Sequence, residues 1–207
     1  MRLTLADSHP CLLDWIAQTP FDPHIFYQSA WLARRLALPC PTEHVDIGSD
    51  IRMISVLSGF IPTEFLDYRP LQASLPGLRC GSADLMQLDR PDGSIPSLSC
   101  LHVIEHVGLG RYGDPVDFAG SARAAAELSR VLAPGGRLYV SVPVGRQRVC
   151  FNAHRVFDPK GFTTLFPKLS LMHFSHVDDA GQFHEGSSVG NACNNEYACG
   201  MYVFTKQ

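Results

Sequence analysis

One stretch of the sequence, DPVDFAGSARAAAELSRVLAPGGRLYVSVPVG at residues 114–145, restricts the possible fold more than any other. Its first half predicts an amphipathic helix that Asp114 or Asp117 can cap. The apolar side chains on its predicted buried face are Phe118, Ala122, Ala125, Val131 and Leu132. The glycine turn at 134–136 then ends the helix, and RLYVSV follows as a near-continuous apolar strand. Such a strand is typical of a parallel sheet that is covered on both faces.

The rest of the chain after Pro41 alternates in the same way. Further helices are predicted at residues 49–59 and 158–167. The other strands are predicted at residues 43–48, 63–70, 77–86, 169–177 and 197–206, and within 94–107, centred on Leu98 to Val103. Strands that alternate with helices predict an α/β fold, with a mostly parallel sheet and helices on both faces. The last two strands are joined by a polar stretch without a helix signal, so we expect them to pair antiparallel at one edge.

The N-terminal region has a different character, being rich in aromatic residues and leucine. DWIAQT (14–19) and YQSAWLARRLAL (27–38) both predict short amphipathic helices, and Pro39 and Pro41 end the second. Neither helix could bury its apolar face alone. We therefore predict a helical cap at residues 1–40 on a main domain at residues 41–207, and these helices offer a contact for a homodimer.

Composition excludes several classes of protein. The 207 residues carry a formal net charge of -3, which leaves no basic surface for nucleic acid. The first twenty residues contain charged residues and prolines, and they resemble neither a secretory signal nor a membrane span. Seven cysteines are scattered without C-x-x-C spacing. We expect a cytoplasmic protein with reduced thiols.

Polar residues follow the predicted strands where ligands bind in open α/β sheets, at the C-terminal strand ends. The residues at these ends are Asp46, Gly48, Ser49, Asp67, Tyr68, Asp84, Leu85, His102, Glu105 and His106. Gly48 lacks a side chain where a cofactor would approach the backbone. Asp67 comes nineteen positions later, where a carboxylate can accept hydrogen bonds from both hydroxyls of a ribose. With Asp84 as acceptor for an exocyclic amine, the pattern predicts an adenosine-shaped pocket.

The cluster His102-x-x-Glu105-His106 has three possible interpretations. As a zinc motif it needs both histidines on one face of a helix. The residues before it resemble a strand, however, and Gly108 and Gly110 follow at once. The cluster can instead line the cofactor or acceptor side of a pocket, or form structural hydrogen bonds. We favour the pocket and predict no metal ligand.

Two further segments supply candidate catalytic residues. His154 and Arg155 follow the fifth strand between two aromatic residues, Phe151 and Phe157. His154 can act as a general base toward an acceptor hydroxyl, and Arg155 can pair with a phosphate or carboxylate of the substrate. Tyr112 lies in a glycine-flanked loop that can close over the acceptor.

In these motifs the chain resembles the class I S-adenosylmethionine-dependent methyltransferases. The similar runs, in the expected order, are HVDIGS, FLDYRP, GSADL, LSCLHVIEHV and LSRVLAPGGRLYVSVP. The resemblance implies a Rossmann-like seven-stranded sheet in the order 3-2-1-4-5-7-6, with strand 7 antiparallel. It also implies S-adenosylmethionine as cofactor, bound by Asp46, Gly48, Ser49, Asp67, Tyr68, Asp84, Leu85 and His102.

Within that superfamily the chain is most similar to a methyltransferase-like family known as a domain of unknown function. Three runs carry this similarity: SLSCLHVIEHVGLGRYGDP, SVPVGRQRVCFNAHRVFDP and VDDAGQFHE. It implies a small or sugar-containing acceptor, in the context of surface-polysaccharide biosynthesis. His102, Glu105, His106, Tyr112, His154 and Arg155 are the acceptor-side candidates.

The first motif departs from the superfamily pattern, which has an acidic residue followed by three alternating glycines. This chain keeps only Gly48, and Asp50 and Arg52 stand in the other two glycine positions. Ser49 or Arg52 would then either crowd the methionine part of the cofactor or bind its carboxylate. Two alternatives stay open: a metal-dependent hydrolase or lyase, and a catalytically silent methyltransferase-like binding subunit.

Overall fold

The computed structural model describes residues 4–207, which form one large sheet flanked by helices. The helices and strands, in chain order, are α1 (Pro23–Ala37), β1 (His44–Ile47), α2 (Ile51–Leu57), β2 (Thr63–Asp67), β3 (Leu78–Ser82), β4 (Ile95–Leu101), α3 (Gly120–Val131), β5 (Leu132–Val144), β6 (Arg148–Cys150), β7 (His154–Val156), α4 (Pro159–Thr163), β8 (Leu169–Val177), β9 (Phe183–His184) and β10 (Ala198–Lys206). The predicted α/β class is confirmed.

The strands of the large sheet lie in the order β3-β2-β1-β4-β5-β10-β8-β9. The first five pair in parallel, whereas β10 lies antiparallel between β5 and β8. This is the predicted order 3-2-1-4-5-7-6, extended by β9 at one edge. The separate hairpin of β6 and β7 is also additional. Both additions are strands of two or three residues, too short to show a period in the sequence.

The sheet is covered on both faces because side chains of successive strand residues point to opposite sides. Leu138 and Val140 of β5 pack with α3 and α4 on one face, and Tyr139 packs with α1 and α2 on the other. Within residues 4–207, no helix has both the length and the apolar character that a membrane crossing requires.

Helix α1 is part of the sheet's packing. Asp22 caps its start by accepting hydrogen bonds from the amides of His24 and Ile25. Trp31, Leu32 and Leu36 are fully buried against the sheet. The apolar face that we predict as a dimer contact is therefore covered within one chain.

Two local predictions are wrong. DWIAQT forms no helix in the described structure, and Trp15 is 99% exposed, since a six-residue segment without a packing partner cannot offset the cost of helix nucleation. Helix α3 begins at Gly120, so Phe118 precedes it and is exposed, and Ala122 faces solvent. Its buried face is Ala124, Ala125, Leu128 and Val131.

Candidate functional site: a cleft and an adjoining pocket

A cleft opens where β1, β2, β3 and β4 end. Parallel strands bring their C-terminal ends to one edge of a sheet, so the loops after these four strands meet there. The residues that line the cleft are Ile47, Gly48, Asp67, Tyr68, Arg69, Ala83, Asp84, Leu85, Met86, His102, Val103, His106, Val107, Tyr112 and Asp114.

Gly48 forms the tight turn after β1. Its φ of +70° lies in the left-handed region that favours glycine, and a Cβ would stand 3.1 Å from Cγ2 of Val103. The same Cβ would lie 3.7 Å from Oδ2 of Asp67, inside the cleft. This glycine therefore keeps open the space between the first and second strand ends.

Asp46 and Ser49 do not line the cleft, although we predict both as cofactor ligands. Asp46 is fully buried and accepts hydrogen bonds from the amide of Ser49 (3.1 Å), the hydroxyl of Ser49 (2.7 Å) and the hydroxyl of Ser99. Burial raises the pKa of Asp46 to about 6, against the opposing effect of these hydrogen bonds. The structure places both residues beneath the Gly48 turn, which they hold in shape.

The residues that stand in the positions of the two missing glycines do not obstruct the cleft. Asp50 caps α2 by accepting a hydrogen bond from the amide of Arg52, and it also pairs with the guanidinium of Arg52 at 2.5 Å. The Arg52 side chain is 80% exposed, and neither residue lines the cleft. The Ser49 hydroxyl donates a hydrogen bond to Asp46 and accepts one from the amide of Leu101. None of these three side chains crowds the space that a cofactor would need.

Four other predicted cofactor ligands do line the cleft: Asp67, Tyr68, Asp84 and Leu85. Asp67 and Asp84 each use Oδ1 to accept one backbone amide in a local turn, from Arg69 at 2.7 Å and from Met86 at 2.8 Å. Among residues 4–207, neither Oδ2 receives a hydrogen bond. Each carboxylate thus keeps an acceptor oxygen for a ligand, and Leu85 supplies a buried apolar wall.

A second, more open pocket adjoins the cleft. It is lined by Asp22, Pro23, His24, Ile25, His102, Glu105, His106, Arg111, Pro143, His154, Asp178, Asp179, Gly181 and Tyr197. His102 and His106 line both spaces, so they stand at the junction between them. A group transferred from one space to the other would pass these two imidazoles.

His102 has an unusual backbone for a residue other than glycine, with φ of +55°. Its Nδ1 lies 2.8 Å from Oε1 of Glu105, and its Nε2 lies 3.4 Å from Sγ of Cys199. Burial lowers the pKa of His102, but the Cys199 sulfur and the Glu105 carboxylate outweigh it and hold the pKa well above its usual value. Residues 104–108 form turns, so the helix that a zinc-protease motif requires is absent from this described segment.

His106 presents a different environment. Its Nδ1 donates to the carbonyl of Ala153 at 2.7 Å, which leaves Nε2 with the lone pair. Burial lowers the pKa of His106, and Arg111 lowers it further against the opposing charge of Glu105. The ring is therefore neutral near pH 7 and able to accept a proton at Nε2.

The remaining predicted catalytic residues lie in three different places. His154 lines the second pocket, and burial lowers its pKa. Tyr112 lines the cleft beneath the guanidinium of Arg69, which lies 4.2 Å from the ring centroid. Arg155 lines neither space, because its guanidinium donates to main-chain carbonyls, including that of Val107 at 2.7 Å. It supports the turn that carries His106.

Sequence reasoning missed several residues of the second pocket, among them His24, Tyr197 and Asp179. The His24 ring stacks at 5.4 Å on Tyr197, which lies 5.4 Å from His154. Burial, together with the neighbouring His102, lowers the pKa of His24 to about 4. These residues come from α1, from the loop between β8 and β9 and from the segment before β10, so no local spacing in the sequence links them.

Comparison with known proteins supports the fold and one family resemblance. A family described as "Caenorhabditis protein of unknown function, DUF268" matches residues 93–184, which confirms the similarity to a family of unknown function. No curated protein matches the chain.

Solved structures share the fold at low identity. An N-methyltransferase, NodS from Bradyrhizobium japonicum in complex with S-adenosyl-L-homocysteine, is 15% identical with a TM-score of 0.59, covering 87% of this chain and 86% of its own. A putative sarcosine dimethylglycine methyltransferase from Galdieria sulphuraria is 12% identical, with a TM-score of 0.62 and coverage of 86% and 85%. The [4+2]-cyclase SpnF is 13% identical, with a TM-score of 0.62 and coverage of 87% and 80%. The methyltransferase-like fold is confirmed, and the cyclase among these neighbours means that the fold alone does not define the reaction.

Proposed function

We propose that the chain is an S-adenosylmethionine-dependent methyltransferase whose cofactor occupies the cleft. The observation that carries this proposal is the pairing of the Gly48 turn with Asp67, whose Oδ2 faces the space that Gly48 keeps open. A carboxylate at the end of the second strand suits the two hydroxyls of a ribose. Asp84 and Leu85 suit the polar edge and the apolar face of adenine. The bound cofactor supplies an electrophilic methyl group.

The second pocket is the proposed acceptor site. It opens to solvent and meets the cleft at His102 and His106, which suits a reaction that joins two ligands across one junction. His106 serves as general base, because its neutral ring directs the proton of Nδ1 at Ala153 and leaves Nε2 to take a proton from an acceptor hydroxyl or amine. His154, in the same pocket, is the second candidate for this role.

A sugar-containing acceptor, in surface-polysaccharide biosynthesis, is the class that we propose. The pocket combines an aromatic wall, formed by His24 and Tyr197, with carboxylates such as Asp22. Only Oδ1 of Asp22 is used in capping α1, so Oδ2 is available to accept a hydrogen bond from a sugar hydroxyl. Carboxylates and ring faces together match the hydroxyls and the C–H faces of a sugar.

Calorimetric titration with S-adenosylhomocysteine tests cofactor binding without knowledge of the acceptor. We expect saturable binding by the wild-type chain, weakened roughly tenfold to a hundredfold in Asp67→Ala, because hydrogen bonds to a charged group contribute about 1.5–3 kcal/mol. Asp89→Ala is the matched control, since Asp89 is exposed and outside the cleft. Absence of binding at millimolar ligand, or equal affinity of the Asp67 variant and wild type, would contradict the proposal.

A further inference from the structure

Three potential metal ligands from distant parts of the chain meet at the junction of the cleft and the second pocket. His24 comes from the first turn of α1, His102 follows β4, and Cys199 lies at the start of β10. One nitrogen of each imidazole and Sγ of Cys199 lie within 4.8 Å of one another. Tetrahedral zinc, with bonds of about 2.0–2.3 Å, holds such donors roughly 3.3–3.7 Å apart. Small side-chain rotations therefore suffice to bring the three donor atoms to coordinating distance from one ion.

Glu105 lies next to this cluster, in the position of a carboxylate that orients a metal-binding histidine. Its Oε1 lies 2.8 Å from Nδ1 of His102, on the side of the ring opposite the Nε2 that faces Cys199. A carboxylate bonded to the second ring nitrogen fixes the tautomer whose lone pair points at a metal. Glu105 is completely buried, and its Oε2 has no hydrogen-bond partner among the described residues. A buried carboxylate with a free oxygen stabilises a cation placed next to it.

The backbone at His102 is consistent with such a role. A φ of +55° in a residue with a Cβ is unfavourable, and such conformations concentrate at functional sites. The amide of His102 donates to the carbonyl of Ser141 in β5 at 2.9 Å, which anchors the residue to the sheet. The sheet thus holds the imidazole in a fixed direction, between Glu105 and Cys199.

We propose that His24, His102 and Cys199 bind one zinc ion, with Glu105 as the positioning residue and the fourth coordination position open to the second pocket. Two imidazoles and a thiolate are donors that select zinc among common cellular ions, and three protein ligands with one open position are typical of a catalytic zinc site. Zinc binds the thiolate of Cys199 and the unprotonated Nε2 of His102, so the protons that these two atoms carry in the metal-free chain are released to solvent. Its binding is independent of the proposed methyl transfer.

The role of the ion does rest on the proposed function. The open position faces the pocket that we assign to the acceptor, so a hydroxyl of the acceptor can coordinate there. Coordination to zinc lowers the pKa of a bound hydroxyl, which makes the oxygen a better nucleophile near neutral pH. The proton released goes to a base at the junction, where Nε2 of His106 carries a lone pair.

The test uses the full chain, stripped of metal with a chelator and titrated with Co²⁺ and Zn²⁺. We expect one Co²⁺ per chain, with the ultraviolet charge-transfer band of a thiolate ligand, displaced by one equivalent of Zn²⁺. Cys199→Ser removes the band, and His24→Ala lowers the affinity at least tenfold. Because Cys199 is buried and its variant can fail to fold, the partly exposed His24 provides a second variant that leaves the core intact.

Two further variants distinguish a built site from adventitious binding. Glu105→Gln keeps the band but weakens metal binding about 10-fold to 100-fold, as expected for a carboxylate that orients a ligand. Cys193→Ser, at a half-buried cysteine outside the cluster, leaves both band and affinity unchanged. A band that survives in Cys199→Ser, or that Cys193→Ser abolishes, would overturn the inference.

Titration of the same metal-free chain with S-adenosylhomocysteine separates the two proposals. Absence of the thiolate band with intact binding of this ligand would reject the zinc site and leave the methyltransferase proposal standing. A thiolate band without S-adenosylhomocysteine binding would support the zinc site and reject the methyltransferase proposal.

Discussion

Replacing Gly48 by alanine is the substitution that most sharply tests the proposed cofactor cleft. The residue has a φ of +70°, where a side chain costs about 1–2 kcal/mol relative to glycine. The added methyl group would also stand 3.1 and 3.3 Å from the two Cγ atoms of Val103, so that side chain must shift by a few tenths of an ångström. The new group would lie 3.7 Å from Oδ2 of Asp67, in the space that a cofactor ribose would use.

Gly135→Ala is a matched control for the backbone effect. Gly135 has nearly the same φ, +72°, but its added Cβ would meet no atom of the described residues within 4 Å, and it does not line the cleft. Gly135→Ala should lose about 1–2 kcal/mol of unfolding free energy in urea denaturation, and Gly48→Ala should lose at least as much because Val103 must also shift. Calorimetry with S-adenosylhomocysteine should show at least about a tenfold loss of affinity, about 1.4 kcal/mol, in Gly48→Ala alone. Wild-type affinity in Gly48→Ala, or an equal loss in both variants, would refute the reasoning.

Two further substitutions test the packing beneath and behind the site. In wild type, burial lowers the pKa of His44 to about 4, so the stability that neutral His44 contributes is lost as pH falls from 6.5 toward 4. Burial raises the pKa of Asp46 to about 6, so the stability that protonated Asp46 contributes is lost as pH rises from 4 to 6. These two pH dependences oppose each other, and Asp46→Asn should remove the loss of stability that Asp46 causes as pH rises. Its unfolding free energy relative to wild type should then rise by about 2 kcal/mol between pH 4 and 6, and a constant difference in urea denaturation would be contrary evidence. Lys206→Met should cost about 1.5–3 kcal/mol in urea denaturation at pH 7, because the ammonium donates to three main-chain carbonyls at the end of α3 at 2.9–3.0 Å. An unchanged midpoint would remove Lys206 from that role.

The sequence pattern was sufficient to predict the parallel sheet and the cleft, whereas the strand order came from the resemblance to the methyltransferase superfamily. RLYVSV and the shorter apolar runs around it define a buried parallel sheet, and parallel strands necessarily bring Asp67 and Asp84 to one edge. The substitutions at the second and third glycine positions could be interpreted only with the structure. Asp50 and Arg52 pair with each other on the first turn of α2, away from the cleft.

What the sequence could not predict depends on contacts between distant segments. His24 reaches the junction because Trp31 and Leu32 anchor α1 against the sheet, and Cys199 reaches it because β10 inserts next to β5. Arg155 has the chemistry of an anion-binding residue, but nearby main-chain carbonyls occupy its guanidinium. The local pattern and spacing of residues in the sequence do not indicate such contacts between distant segments.

A crystal structure of the chain grown with S-adenosylhomocysteine tests cofactor binding in the cleft most directly. Electron density should show the ribose hydroxyls within about 3 Å of Asp67, the adenine beside Asp84 and Leu85, and the sulfur directed at the junction of His102 and His106. Density for the ligand elsewhere on the chain, or an empty cleft at saturating ligand, would contradict the assignment of the cleft to this cofactor.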